Sequence, residues 1–129
     1  VLATLHEAGV PLGLATAKPV YQAEISLDHF GLRQYFQVVE DASTAPHKKP
    51  HPQVYLQTLQ RLKLPAAECL VFEDSANGLN AARAAGLATL VTPNAFTAEN
   101  DFTGALRVLP SLQDTTVADL REWHAAAQR

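Results

Sequence analysis

Apolar runs alternate with helical patterns along the 129 residues. "VPLGLAT" (10–16) is apolar without polar alternation and predicts a short buried strand. "PVYQAEISLDHFGL" (19–32) opens on proline, repeats its apolar residues at helical spacing and stops at Gly31. "FQVVED" (36–41) predicts a second strand, followed by the polar loop "ASTAPHKKPHP". "QVYLQTLQRLKL" (53–64) predicts an amphipathic helix with Val54, Leu56, Leu59, Leu62 and Leu64 as its apolar positions. "CLVFED" (69–74) is a third strand, and "SANGLNAARAAG" (75–86) a helix closed by Gly86. "ATLVTPN" (88–94) and "LRVLP" (106–110) predict further strands. "TVADLREWHAAAQR" (116–129) predicts a terminal helix capped by Thr115 or Thr116, with Trp123 packed on the sheet edge.

Strands without alternation, separated by helices, predict an α/β domain with a mainly parallel sheet. In such folds ligands gather beyond the carboxyl ends of the strands. Three of those ends carry polar residues: Thr16, the pair Glu40 and Asp41, and the pair Glu73 and Asp74. The opening "VLATLHEAG" reads as the second half of a helix ending at Gly9, with no cap before it. A chain that begins inside a larger protein is therefore expected, with 1–129 forming one partial core domain.

Composition changes this picture little. With 47% apolar and 18% charged residues the chain has an ordinary globular balance. A formal net charge of −3 supplies no basic face, so no nucleic-acid partner is expected. No apolar run reaches the ~18 residues of a membrane span, and no secretory signal opens the chain. The single cysteine, Cys69, lies in an apolar strand and is expected to be a reduced, buried thiol, which fits a cytoplasmic location. Five histidines are present, but Pro50 separates His47 from His51, and no cluster has zinc-ligand spacing. P-loop and dinucleotide-binding glycine patterns are absent.

Adjacent acids at a buried strand's end repel each other and call for a cation. Glu73 and Asp74 offer hard oxygens, which suit Mg²⁺, and Ser75 begins a helix whose N–H groups face the same mouth. A second reading stays open, in which Asp74 and Ser75 cap the helix and Glu73 is solvated. Lys49, on a loop stiffened by prolines, has the charge to neutralise a phosphate oxygen or a carboxylate; two solvated surface lysines are the alternative. Thr16 offers a hydroxyl and, with Ala17, backbone N–H groups at a strand-to-helix turn, a simple phosphate cradle. Lys18 is a further candidate to steer a phosphate, against a solvated lysine.

The order of these features resembles the haloacid dehalogenase superfamily of phosphatases and phosphomutases. "LATAK" resembles its second motif, "KKPHPQVY" its third, usually written G-K-P-x-P-D, and "FEDSANGLNAARAAG" its fourth. The tail "VTPNAFTAENDFTGALRVLPSL" resembles the branch that includes β-phosphoglucomutase and the CbbY-like sugar-phosphate phosphatases. Lys48 and Gln53 depart from the third motif, standing where glycine and aspartate are usual. The resemblance implies a Rossmann-like three-layer core with a helical cap. It implies Thr16 and Lys49 as catalytic residues, and Thr16, Ala17 and Lys49 on the phosphate. Asp74 would hold Mg²⁺, with Glu73 assisting directly or through water. The substrate implied is a small phosphorylated metabolite that passes its phosphate to an aspartate.

The first motif, D-x-D-x-[TV], occurs nowhere in the 129 residues. The core is therefore expected to lack its first, central strand and the cap, leaving two strand edges unpaired and the chain alone inactive. A mutase, a non-catalytic phosphate- or Mg²⁺-binding module and a receiver-like signalling domain are the competing classes. "VPLGLATAK" lacks the acidic pair that a receiver would carry at its first strand.

Overall fold

A computed structural model describes residues 2–16, 20–41, 45 and 47–128, with the backbone alone at 20 and 21. The elements run α1 (Leu2–Glu7), β1 (Gly13–Ala15), α2 (Val20–His29), β2 (Val38–Glu40), α3 (Gln53–Leu62), β3 (Leu70–Glu73), α4 (Ala76–Ala84), β4 (Ala88–Val91), β5 (Arg107–Val108) and α5 (Val117–Ala127). Every strand pairing is parallel, as the unalternated apolar runs require. The strands form two sheets, one ordered β1-β2 and the other β3-β4-β5.

Alternate residues of a strand supply opposite faces. Val71 packs toward α3 and α4, among Val54, Tyr55, Ala81 and Ala82. Leu70 and Phe72 pack on the other side with Leu5 of α1 and Leu120 of α5. The result is helices, sheet, helices. Leu79, Leu90 and Val91 are wholly buried.

Between β1 and β3 lies a cavity of about 440 Å³, lined by Leu12, Leu14, Leu70, Phe72, Leu120 and His124. Among the described residues β1 and β3 pair on one side only, and their open edges border this slot. His124 Nε2 is buried beside it with no hydrogen-bond partner among the described residues.

The helix ends follow the expected signals. At Gly86, with φ of 82°, the Gly86 N–H donates to Arg83 O and the Leu87 N–H to Ala82 O, a left-handed stop that glycine adopts without strain. The same pair of bonds closes α1 and α2. At α5, Thr116 is the cap, and Asp119 completes a capping box. Trp123 sits at the sheet edge as expected, its ring 4.9 Å from the Arg107 guanidinium on β5.

Four expectations are corrected. The hydrogen-bonded strands are shorter than the apolar runs that predict them, β5 having only two residues. On α3, Leu56 is 48% exposed while Tyr55 and Thr58 are buried. Thr58 can be buried because its hydroxyl donates to Val54 O at 2.7 Å. Cys69 precedes β3 and is half-buried rather than lying within the strand; burial, and then Glu68, push its thiol pKa up. Glu40 and Asp41, the polar pair at the carboxyl end of the second strand, are not open to a ligand: both are buried, and Arg61 holds Glu40 at 2.9 Å.

Candidate active site

Three segments converge at the carboxyl ends of β1 and β3. The loop before α3 delivers Lys49. Its Nζ donates to Ala15 O at 3.3 Å and to Glu73 Oε1 at 2.5 Å, so one ammonium bridges the last residues of both strands. The pair is largely sheltered from water, with side-chain exposures of 18% for Lys49 and 8% for Glu73. At such burial, removing one partner leaves an uncompensated charge, which costs about 3–5 kcal/mol. Lys49 is therefore not a solvated surface lysine.

The loop holding Lys49 is closed by local hydrogen bonds. The His51 N–H donates to Lys48 O, the His47 N–H to Gln53 Oε1 at 2.8 Å, and the Gln53 N–H to His51 Nδ1 at 3.1 Å. Gln53 thus supplies a side-chain oxygen where the family motif has aspartate. His47 and His51 stack with ring centroids 4.8 Å apart.

Glu73 is pinned from several sides. Tyr55 Oη donates to the same Oε1 that Lys49 touches, and the Asp74 N–H donates to Oε2 at 3.3 Å. Burial first, and the Glu73 charge next, raise the Tyr55 pKa far above that of a free phenol, so Tyr55 stays a donor. Ser75 caps α4 by accepting the Gly78 N–H at 3.1 Å. A Cβ at residue 78 would fall on the Glu73 carboxylate, so the E-D-S-x-x-G spacing has a steric cause.

Asp74, unlike Glu73, is exposed. Asn94 Nδ2 donates to its Oδ2 at 3.2 Å. Thr16 is half-buried, and its N–H donates to Glu40 O at 3.0 Å, adding a rung beyond β1. Its amide is thus committed to the sheet, and any contribution to an anion falls to its side chain. Ala17 and Lys18 lie outside the described residues. Tyr55, Asn94 and Asn100, whose Oδ1 accepts the Ala76 N–H at 3.0 Å, were not singled out by sequence reasoning. The one available signal was a hydroxyl on the buried face of α3, since the asparagines reach their partners only across β4.

The fit to a divalent cation rests on donor chemistry. Among the described residues no three of His, Cys, Asp and Glu cluster as a metal centre. Glu73 Oε1 is engaged, whereas Asp74 Oδ1 has no hydrogen bond among the described residues. One free carboxylate oxygen suits Mg²⁺, which binds through one or two carboxylates completed by phosphate and water oxygens. Among the described residues, Lys49 against Glu73 and Asp74 also leaves this mouth with an excess negative charge, so a phosphate dianion arriving there needs further cationic charge.

The haloacid dehalogenase-like hydrolase family profile matches residues 1–86. The chain is 43% identical over 143 aligned positions to the plasmid-encoded CbbY protein of Cupriavidus necator, covering 96% of this chain and 56% of that one. It is 40% identical over 121 positions to hexitol phosphatase B of Escherichia coli K12, covering 92% and 54%. Crystalline CbbY from Rhodobacter sphaeroides, with xylulose-(1,5)bisphosphate bound to a mutant, superposes with a TM-score of 0.88 at 34% identity, covering 92% and 55%. The chain belongs to the haloacid dehalogenase-like hydrolases, in their CbbY-like branch. It spans about half the length of the curated relatives it matches.

Proposed function

We propose that this chain forms the phosphate- and Mg²⁺-binding half of a phosphoric monoester hydrolase for a small sugar phosphate. The observation that carries the reading is the Lys49 ammonium, held between Ala15 O and Glu73 Oε1 at the mouth where ligands of parallel sheets gather. The hexitol phosphatase and the xylulose bisphosphate complex among its relatives support the substrate class.

In this reading Lys49 binds a phosphate oxygen as a fixed point charge. Glu73 and Tyr55 keep that charge in place, so it needs no reorganisation as negative charge builds on the phosphoryl group. The Thr16 side chain orients a second oxygen. Asp74 would hold Mg²⁺, with Glu73 assisting through water, and the ion would add charge neutralisation at the phosphoryl oxygens. The attacking carboxylate comes from outside these 129 residues, because no D-x-D sequence is among them. The slot between β1 and β3 is the place for its strand. A parallel strand inserted there would pair with both open edges at the usual ~4.8 Å spacing and bring its carboxyl end out beside Lys49. His124 Nε2, without a partner among the described residues, favours a polar contact from that insert.

The test compares phosphate release from xylulose-1,5-bisphosphate and hexitol phosphates by this chain and by its upstream-extended polypeptide, with Mg²⁺ present. Turnover by the extended form alone, lost on Lys49→Ala, is expected. An extended form that binds inorganic phosphate without turning over any phosphate ester would leave a binding module instead.

A further inference from the structure

An exposed carboxylate ordinarily samples several rotamers, and ordering one costs conformational entropy. Asp74 is exposed, yet one of its oxygens has a partner whose own amide is oriented by backbone donors. Asn94 Oδ1 accepts the Phe96 N–H at 2.8 Å and the Thr97 N–H at 3.1 Å. Thr97 Oγ1 accepts the Asn94 N–H at 2.9 Å. These backbone donors settle which end of the Asn94 amide is oxygen, because an N–H needs an acceptor. The NH₂ end is then fixed, and it donates to Asp74 Oδ2. Asn100 fastens the same loop again through the Ala76 N–H, two residues beyond Asp74. The loop after β4 is therefore bolted to the turn that carries the site's exposed acid.

We propose that Asn94 is a positioning residue for Asp74: holding Oδ2, it fixes the carboxylate's rotation and leaves Oδ1 as the oxygen offered to a divalent cation. A neutral amide suits this task. It orients the carboxylate by one hydrogen bond while leaving its negative charge intact, where a lysine or arginine would neutralise it. The inference rests on the reading of Asp74 as a cation ligand and deepens it.

The experiment uses the whole polypeptide that carries this chain and separates the amide donor from the turn. Asn94→Ser keeps an oxygen for the Phe96 and Thr97 N–H groups but is too short to reach Asp74. Asn94→Ala loses both. Mn²⁺ binding followed by electron paramagnetic resonance should weaken about tenfold in each variant, the usual scale for a residue that orients a ligand. In metal-free protein, the Asn94 side-chain NH₂ proton signals should move to solvent-exposed amide positions on Asp74→Ala. Native Mn²⁺ affinity in Asn94→Ser, alongside its loss in Asp74→Ala, would overturn the role of Asn94 and leave the cation reading standing. Unchanged Mn²⁺ affinity in Asp74→Ala would overturn both.

Discussion

Helix propensity and packing give opposite signs for Gly78→Ala, which makes the substitution decisive. Alanine in place of glycine inside a helix ordinarily stabilises by about 1 kcal/mol. Here the new methyl would land on the Glu73 carboxylate. That carboxylate cannot swing away freely, because Lys49, Tyr55 and the Asp74 N–H all hold it. Overpacking of this kind costs about 1–3 kcal/mol, and each hydrogen bond to a charged group lost in relieving it adds about 1.5–3 kcal/mol. Sterics win, and a net loss of about 2 kcal/mol is expected. With a urea m-value of about 1–3 kcal/mol/M, the midpoint should fall by about 1 M. The control is a double-mutant cycle with Glu73→Ala, in which the methyl has space and Gly78→Ala should become neutral or stabilising. Equal destabilisation in both backgrounds, or no loss in the first, would refute the steric account.

Two further outcomes follow from the buried polar groups. Tyr55 keeps its proton in the folded state at pH values where the unfolded phenol, with its ordinary value of 10.0, releases it. Stability should therefore fall as pH rises above about 10, by up to ~1.4 kcal/mol per pH unit, and the slope should shrink in Tyr55→Phe when unfolding is measured from pH 9 to 11. Arg61→Ala should cost about 1–2 kcal/mol, read as a melting point lower by several degrees. Glu40 is 2% exposed and loses its guanidinium, but Arg61 is half in water, which keeps the loss below that of a fully buried pair. An unshifted melting point would show that Glu40 is satisfied without it.

The elements were legible because their signals are local. Unalternated apolar runs mark parallel strands, and glycine at positive φ marks helix ends, so the Gly86 stop could be placed from sequence. Lys49, Glu73 and Asp74 stood out as charges at turns, and the structure brings them to one mouth. What stayed hidden depends on distant partners. Tyr55 faces the core because its hydroxyl finds Glu73, 18 positions away, and Thr58 joins it by bonding the Val54 carbonyl one turn back, so an apolar count chose Leu56 instead. Glu40 is buried because Arg61, 21 positions away, comes to meet it. Asn94 lies 20 positions from Asp74, and nothing in the intervening residues announces that they touch.

The Lys49 bridge has a consequence for assembly. Its ammonium donates one hydrogen bond to each of two separately paired sheets, at Ala15 and at Glu73. The seat of the cation therefore exists only while the two half-sheets keep their separation. In the proposed reading linkage then runs both ways: the factor by which a strand in the slot raises the affinity for an anion on Lys49 is the factor by which that anion raises the affinity for the strand. An incompletely assembled molecule would hold its anion loosely, and a bound anion would in turn favour completion of the sheet.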